Sequence, residues 1–147
     1  MNAPTGPVDP GERSRLRLRH LRFGWVSLFL FVVLGALLET MHGFKVDWYL
    51  AVGNETRRLL WRLAHAHGTF LALVHLAFAF SLAHTGERLP RLGSPCLIGA
   101  SVALPGGFLL GGFGVQGGDP GVGIVLVPFG VLLLLVAVGE VVRSLKA

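Results

Sequence analysis

The string Arg62-Leu63-Ala64-His65-Ala66-His67-Gly68 sets three ionisable side chains inside an apolar stretch that runs from Leu59 to Leu82. An ionisable group held in hydrocarbon is expensive, so its presence there is by default a mark of function. A second pair, Glu39 and His42, closes the preceding apolar run. Three residues apart, the two share one helical face. At 100° per residue, Arg58, Arg62, His65 and Thr69 fall within an arc of about 60°, a polar stripe on one side, while His67 and His75 point to other flanks.

Four chemistries fit these residue types. The plainest is structural: a Glu39–Arg62 ion pair fixes the packing of the first two helices, with the histidines hydrogen-bonding across helices. The second is a transition-metal site, because Glu39 and His42 on one helix with His65 on the next offer the donors that zinc, iron or copper accept. His67 is left out of that set, since a His-x-His pair on a helix points its rings about 200° apart. The third is haem, with His42 and His67 as axial ligands and Gly68 relieving crowding at the macrocycle. On this reading His75 has no partner at its own depth, because the last two helices contain no histidine. The fourth is proton or ion movement down a partial ladder of Glu39, His65, His67 and His75 that ends at His84. Its weak rung is the step from His67 to His75, about 12 Å along the axis.

The elements that must hold these residues are read from hydropathy. Of 147 residues 52% are hydrophobic and only 14% charged, which is membrane composition. Four stretches, 23–41, 59–82, 97–115 and 122–142, each approach or exceed the roughly 20 apolar residues that a spanning helix needs. The expected fold is all-α: one polytopic membrane domain over 1–147, an up-down-up-down bundle of four transmembrane helices at about 20–42, 56–84, 96–115 and 121–144. The Pro- and Gly-containing start is expected to be a disordered cytoplasmic tail over 1–18.

Arg13, Arg15, Arg17, Arg19 and Arg22 precede the first apolar run, which is too long for a signal peptide and lacks a cleavage site after it. With the N-terminus inside, Arg88, Arg91, Arg143 and Lys146 join those five on the inner side, against Lys45, Arg57, Arg58 and Arg62 outside. Nine against four places both termini in the cytoplasm of a bacterial cell, with the chain in the inner membrane. The basic pI, about 10.7, is then explained by orientation and anionic lipid rather than by nucleic acid. The single cysteine, Cys96, excludes an internal disulfide and reads as a small packing residue.

Several local features refine the expectation. Gly99, Ala103, Gly107 and Gly111 form a ridge without bulk on the third helix, suited to close packing within the bundle, against a membrane partner or against a second copy. Pro105 and Pro128 are expected to kink the third and fourth helices. Asn54 reads as the N-cap of the second helix, Trp48, Tyr49 and Trp61 as an interfacial belt, and Glu140 with Arg143 as an exposed pair. No nucleophile elbow, P-loop, dinucleotide fingerprint or zinc-protease string occurs, so enzymatic activity has no support in the residues. A structural or accessory membrane subunit is the leading expectation.

Overall fold

The computed structural model describes residues 10–85 and 89–145. Long apolar stretches make long helices: α1 (Pro10–Gly43), α3 (Glu55–Ser81), α4 (Gly93–Phe113) and α5 (Leu126–Leu145), with a short α2 (Asp47–Leu50) between the first two. Single 3₁₀ turns at Val52–Asn54 and Val122–Val125 lead into α3 and α5. No strand occurs among the described residues. Four helical segments are long and apolar enough to cross a membrane.

The long helices pack in the order α1, α3, α4, α5. Gly35 on His65, Gly24 on Ala72 and His20 on His75 step down α1 and α3 in opposite senses. Gly99 on Leu133, Gly107 on Val127 and Gly111 on Ile124 do the same for α4 against α5 and the 3₁₀ turn that leads into it. In the most apolar stretch of α3 and of α4, 44% of residues are buried, against 11% in α1 and in α5. The arrangement is therefore a row with α3 and α4 at its centre, open between α1 and α4, rather than a closed bundle. At one end Phe78, Leu82, Leu89, Leu97 and Ala137 form a core against which Leu16 also packs, so all four long helices meet there.

Helix α1 begins at Pro10, so residues 10–18 continue the first helix and are not part of a disordered tail; residues 1–9 lie outside the described region. Thirty-four residues rise about 51 Å, well beyond a hydrocarbon core of about 30 Å. The arginine-bearing turns lie beyond the apolar stretch and have specific work. Arg13 donates through one guanidinium nitrogen to the carbonyls of Leu82 (3.0 Å) and Thr85 (2.8 Å), closing the C-terminal end of α3. Arg91 makes a bidentate pair with Glu12 at 2.8 Å on both contacts, tying the start of α1 to the loop before α4. Replacing Arg13 by Ala removes two charge-assisted bonds, leaving Leu82 O with only the Thr85 hydroxyl as side-chain donor, and should lower stability by about 1.5 kcal/mol in thermal unfolding, with Arg13→Lys recovering part of it.

Three local expectations change. Pro128 sits in the first turn of α5, directly after a 3₁₀ turn, where its missing N–H is no loss, so it starts the helix instead of kinking it. Pro105 does lie inside α4. Asn54 stands before α3 but makes no side-chain cap; its amide binds the Trp48 carbonyl and accepts from Arg57 at 3.0 Å. Tyr49 and Trp61 are buried in a core with Leu38, with Trp48 and Phe113 tilted against Trp61, so only the exposed Trp48 has the character of a belt residue. The Glu140–Arg143 pair is present at 3.4 Å.

Candidate functional site

The residues expected to carry chemistry divide between two places. Glu39, His42, Arg62 and His65 line one crevice of about 400 Å³ at the α1–α3 seam, with Gly35 and Tyr49. They share it without joining: among the described residues no ion pair links Glu39 to Arg62, and both side chains are exposed at its mouth. The His65 ring lies in the seam itself. It occupies the space that a Cβ at Gly35 would need, and its Nδ1 is 2.7 Å from the Phe31 carbonyl. A carbonyl only accepts, so Nδ1 carries the proton and Nε2 is the atom left open.

The rest of the polar stripe, Arg58 and Thr69, does not enter the crevice lining. Arg58 donates to the carbonyls of Tyr49 and Ala51 at 3.0 Å each, and Thr69 Oγ1 is buried without a hydrogen-bond partner among the described residues. His67 does not face the crevice. Its Nδ1 donates to Leu63 O one turn back at 2.8 Å and its ring packs on Phe108 of α4, so His42 and His67 lie on different sides of α3 with no common space for a macrocycle. Among the described residues no three His, Cys, Asp or Glu side chains converge as a metal site would require, and Glu39, His42 and His65 are no exception.

The second place was not foreseen. His75, expected to stand alone, meets His20 of α1: the two Nδ1 atoms are 2.7 Å apart and both residues are completely buried. His20 Nε2 lies 2.8 Å from Ser94 Oγ, and His75 Nε2 lies 2.9 Å from Ser101 Oγ, both serines on α4. Ser101 Oγ in turn donates to the Leu97 carbonyl at 2.8 Å. The rings stack with centroids 4.9 Å apart, Phe78 tilts onto His20 at 4.2 Å and Phe23 onto His75 at 4.4 Å. Three helices thus meet through a polar chain enclosed in aromatic carbon.

The direction of that chain follows from one atom. Leu97 O can only accept, so the Ser101 hydroxyl proton points to it and Ser101 Oγ must accept from His75 Nε2–H. In the neutral pair His75 Nδ1 is then bare and accepts from His20 Nδ1–H. His20 Nε2, bare in its turn, accepts from the Ser94 hydroxyl. Every polar atom in the chain is satisfied in this single arrangement, which is what burial at this depth demands. Its two ends reach neighbouring spaces that share Arg15 and Arg19. Ser94 lines a crevice of about 430 Å³ with Glu12, Arg15, Arg19 and Arg91, and Ser101 lines a groove of about 830 Å³ between α1 and α4.

A signal for His20 existed in the sequence. His20, Gly24, Phe31, Gly35 and Leu38 fall within about 60° on an ideal helix, one stripe that continues the Glu39 and His42 end of α1 toward the arginines. Starting the first helix near residue 20 left its histidine at the frayed end and out of the pairing. As for the small-residue ridge on α4, Gly99, Gly107 and Gly111 are met by Leu133, Val127 and Ile124 of the same chain. No protein-family model matches this chain, and neither a curated protein nor a solved structure matches it.

Proposed function

We propose that the chain is a small multi-pass subunit of a bacterial inner membrane, with both termini cytoplasmic, and that its His20–His75 pair relays a proton between the Ser94 crevice and the α1–α4 groove. The orientation is supported by the nine-to-four distribution of Lys and Arg, which puts the Ser94 crevice on the cytoplasmic side. The observation that carries the relay is the continuity of the chain: four side chains at 2.7–2.9 Å steps, with one terminal hydroxyl at each of two neighbouring cavities that share Arg15 and Arg19 on their walls. A pair serving only to tie helices together needs no such ends.

The transfer is balanced within the chain. A proton arriving at His20 Nε2 turns the Ser94 hydroxyl from donor to acceptor, His20 Nδ1 passes its proton to His75 Nδ1, and His75 Nε2 releases one past Ser101 to water entering the groove. Afterwards His75 Nε2 is bare and draws the Ser101 hydroxyl away from Leu97 O. That lost bond biases the chain back toward its starting polarity. Both imidazoles cannot point an N–H at the other, so the pair takes one extra proton at a time.

Proteoliposomes holding the full chain, given a pH step and a potassium diffusion potential, should pass protons faster than empty liposomes. His75→Gln should cut that rate about a hundredfold, the scale of a positioned proton-transfer group. Equal rates in the wild-type protein and His75→Gln, or a wild-type rate no higher than that of empty liposomes, would overturn the relay.

A further inference from the structure

A groove of about 830 Å³ lies between α1 and α4, and the relay uses only Ser101 on its wall. Its lining changes character along its length. On α1 the residues Arg15, Arg19 and Arg22 are followed by Val26 and Leu30 at three- or four-residue steps, a single helical face that is cationic for two turns and apolar thereafter. The opposite wall on α4 is apolar, from Ile98 through Val102 and Pro105 to Leu109. No acidic residue lines the groove, and among the described residues neither Arg19 nor Arg22 has a hydrogen-bond or ion-pair partner.

We propose that this groove binds one anionic phospholipid of the surrounding bilayer, its phosphate on Arg19 and Arg22 and an acyl chain laid between Val26 and Leu30 of α1 and Val102 and Leu109 of α4. Charge complementarity selects the class. Guanidinium groups at the level where apolar lining begins require an anion that carries its own hydrocarbon, and basic recesses between membrane helices on the cytoplasmic side take acidic headgroups. Length agrees: eight residues from Arg22 to Leu30 rise about 12 Å, close to the roughly 15 Å of one leaflet. A protein helix in the same place would have to bring a carboxylate to that depth at considerable expense, whereas the lipid brings its phosphate already attached. The proposal stands independently of the proton relay.

Gly106 provides a clean test because it lines the groove and a Cβ built there meets nothing within 4 Å. Native mass spectrometry of the detergent-solubilised full chain, titrated with phosphatidylglycerol or with phosphatidylcholine of the same acyl chains, reads occupancy directly. One phosphatidylglycerol per chain should be retained in preference to phosphatidylcholine. The double variant Arg19→Gln/Arg22→Gln should weaken phosphatidylglycerol about thirtyfold, two near-surface cations' worth, and leave phosphatidylcholine unchanged. Gly106→Trp, which fills the groove without touching the arginines, should abolish retention while the unfolding temperature holds. Inorganic phosphate at the same concentration should not compete.

Equal retention of the two lipids would overturn the site, as would displacement by inorganic phosphate, which would leave a bare anion site. Retention unchanged in Gly106→Trp would reduce the effect to surface charge and overturn it also. A dimer that falls apart in Gly106→Trp would give the groove to a second copy instead.

Discussion

Replacing His75 by leucine should destabilise the folded protein by about 3 kcal/mol, because it keeps the volume but leaves His20 Nδ1 buried with no partner and removes the proton that Ser101 Oγ accepts. His20→Leu should cost a similar amount by orphaning His75 Nδ1. The informative result is the double variant. With both rings replaced by leucine, Ser101 keeps its bond to Leu97 O and Ser94 is free to turn back onto its own helix, so no buried imidazole nitrogen is left unsatisfied. The double replacement should therefore cost about 1–3 kcal/mol less than the sum of the singles, the coupling expected of a directly bonded buried pair. Thermal unfolding in detergent of the four proteins measures the cycle. Additive losses would mean that the rings pack but do not share a proton, and would remove the basis of the relay together with the tautomers deduced for it.

That pair also marks where sequence reading stops. Helical spans, the small-residue ridge on α4 and the Glu140–Arg143 pair were legible because each depends on periodicity within one element. The Glu39, His42, Arg62 and His65 neighbourhood was legible as well, since two antiparallel helices joined by a short link must bring those depths together. The bonds within it were not. A carboxylate and a guanidinium at a crevice mouth are free to face outward, and His65 found a nearer acceptor in the Phe31 carbonyl. His20 escaped for a different reason. Five arginines around it read as a flank, and a histidine in a basic flank has no reason to be buried until the helix is known to begin at Pro10 and to carry that turn under the end of α3. Arg13, reaching the carbonyls of Leu82 and Thr85, fixes that placement. Charge count recorded its sign and missed its task. Pro128 follows the same logic: a proline stops or starts a helix according to its position, and that position is set by the 3₁₀ turn ahead of it.

The same helix, α5, carries two glycines for which substitution should act in opposite directions. At Gly130 a Cβ would lie 2.9 Å from the Leu104 amide nitrogen and 3.2 Å from its Cα, backbone atoms of α4 that cannot rotate aside. At Gly139 a Cβ meets nothing within 4 Å. Gly130→Leu must therefore push α5 off α4 near the middle of their contact, opening the packing of Leu133 on Gly99 and Val127 on Gly107 on either side of it. Overpacking of this kind should cost about 3 kcal/mol, and helix separation in a membrane has no hydrophobic force to reverse it. Gly139→Ala should instead gain about 0.5–1 kcal/mol, since alanine loses less backbone freedom than glycine on entering a helix. Parallel thermal unfolding curves decide the matter. If Gly130→Leu were as stable as Gly139→Ala, the α4–α5 interface would not be the close backbone contact described, and the ridge of Gly99, Ala103, Gly107 and Gly111 would be open to a partner outside the chain.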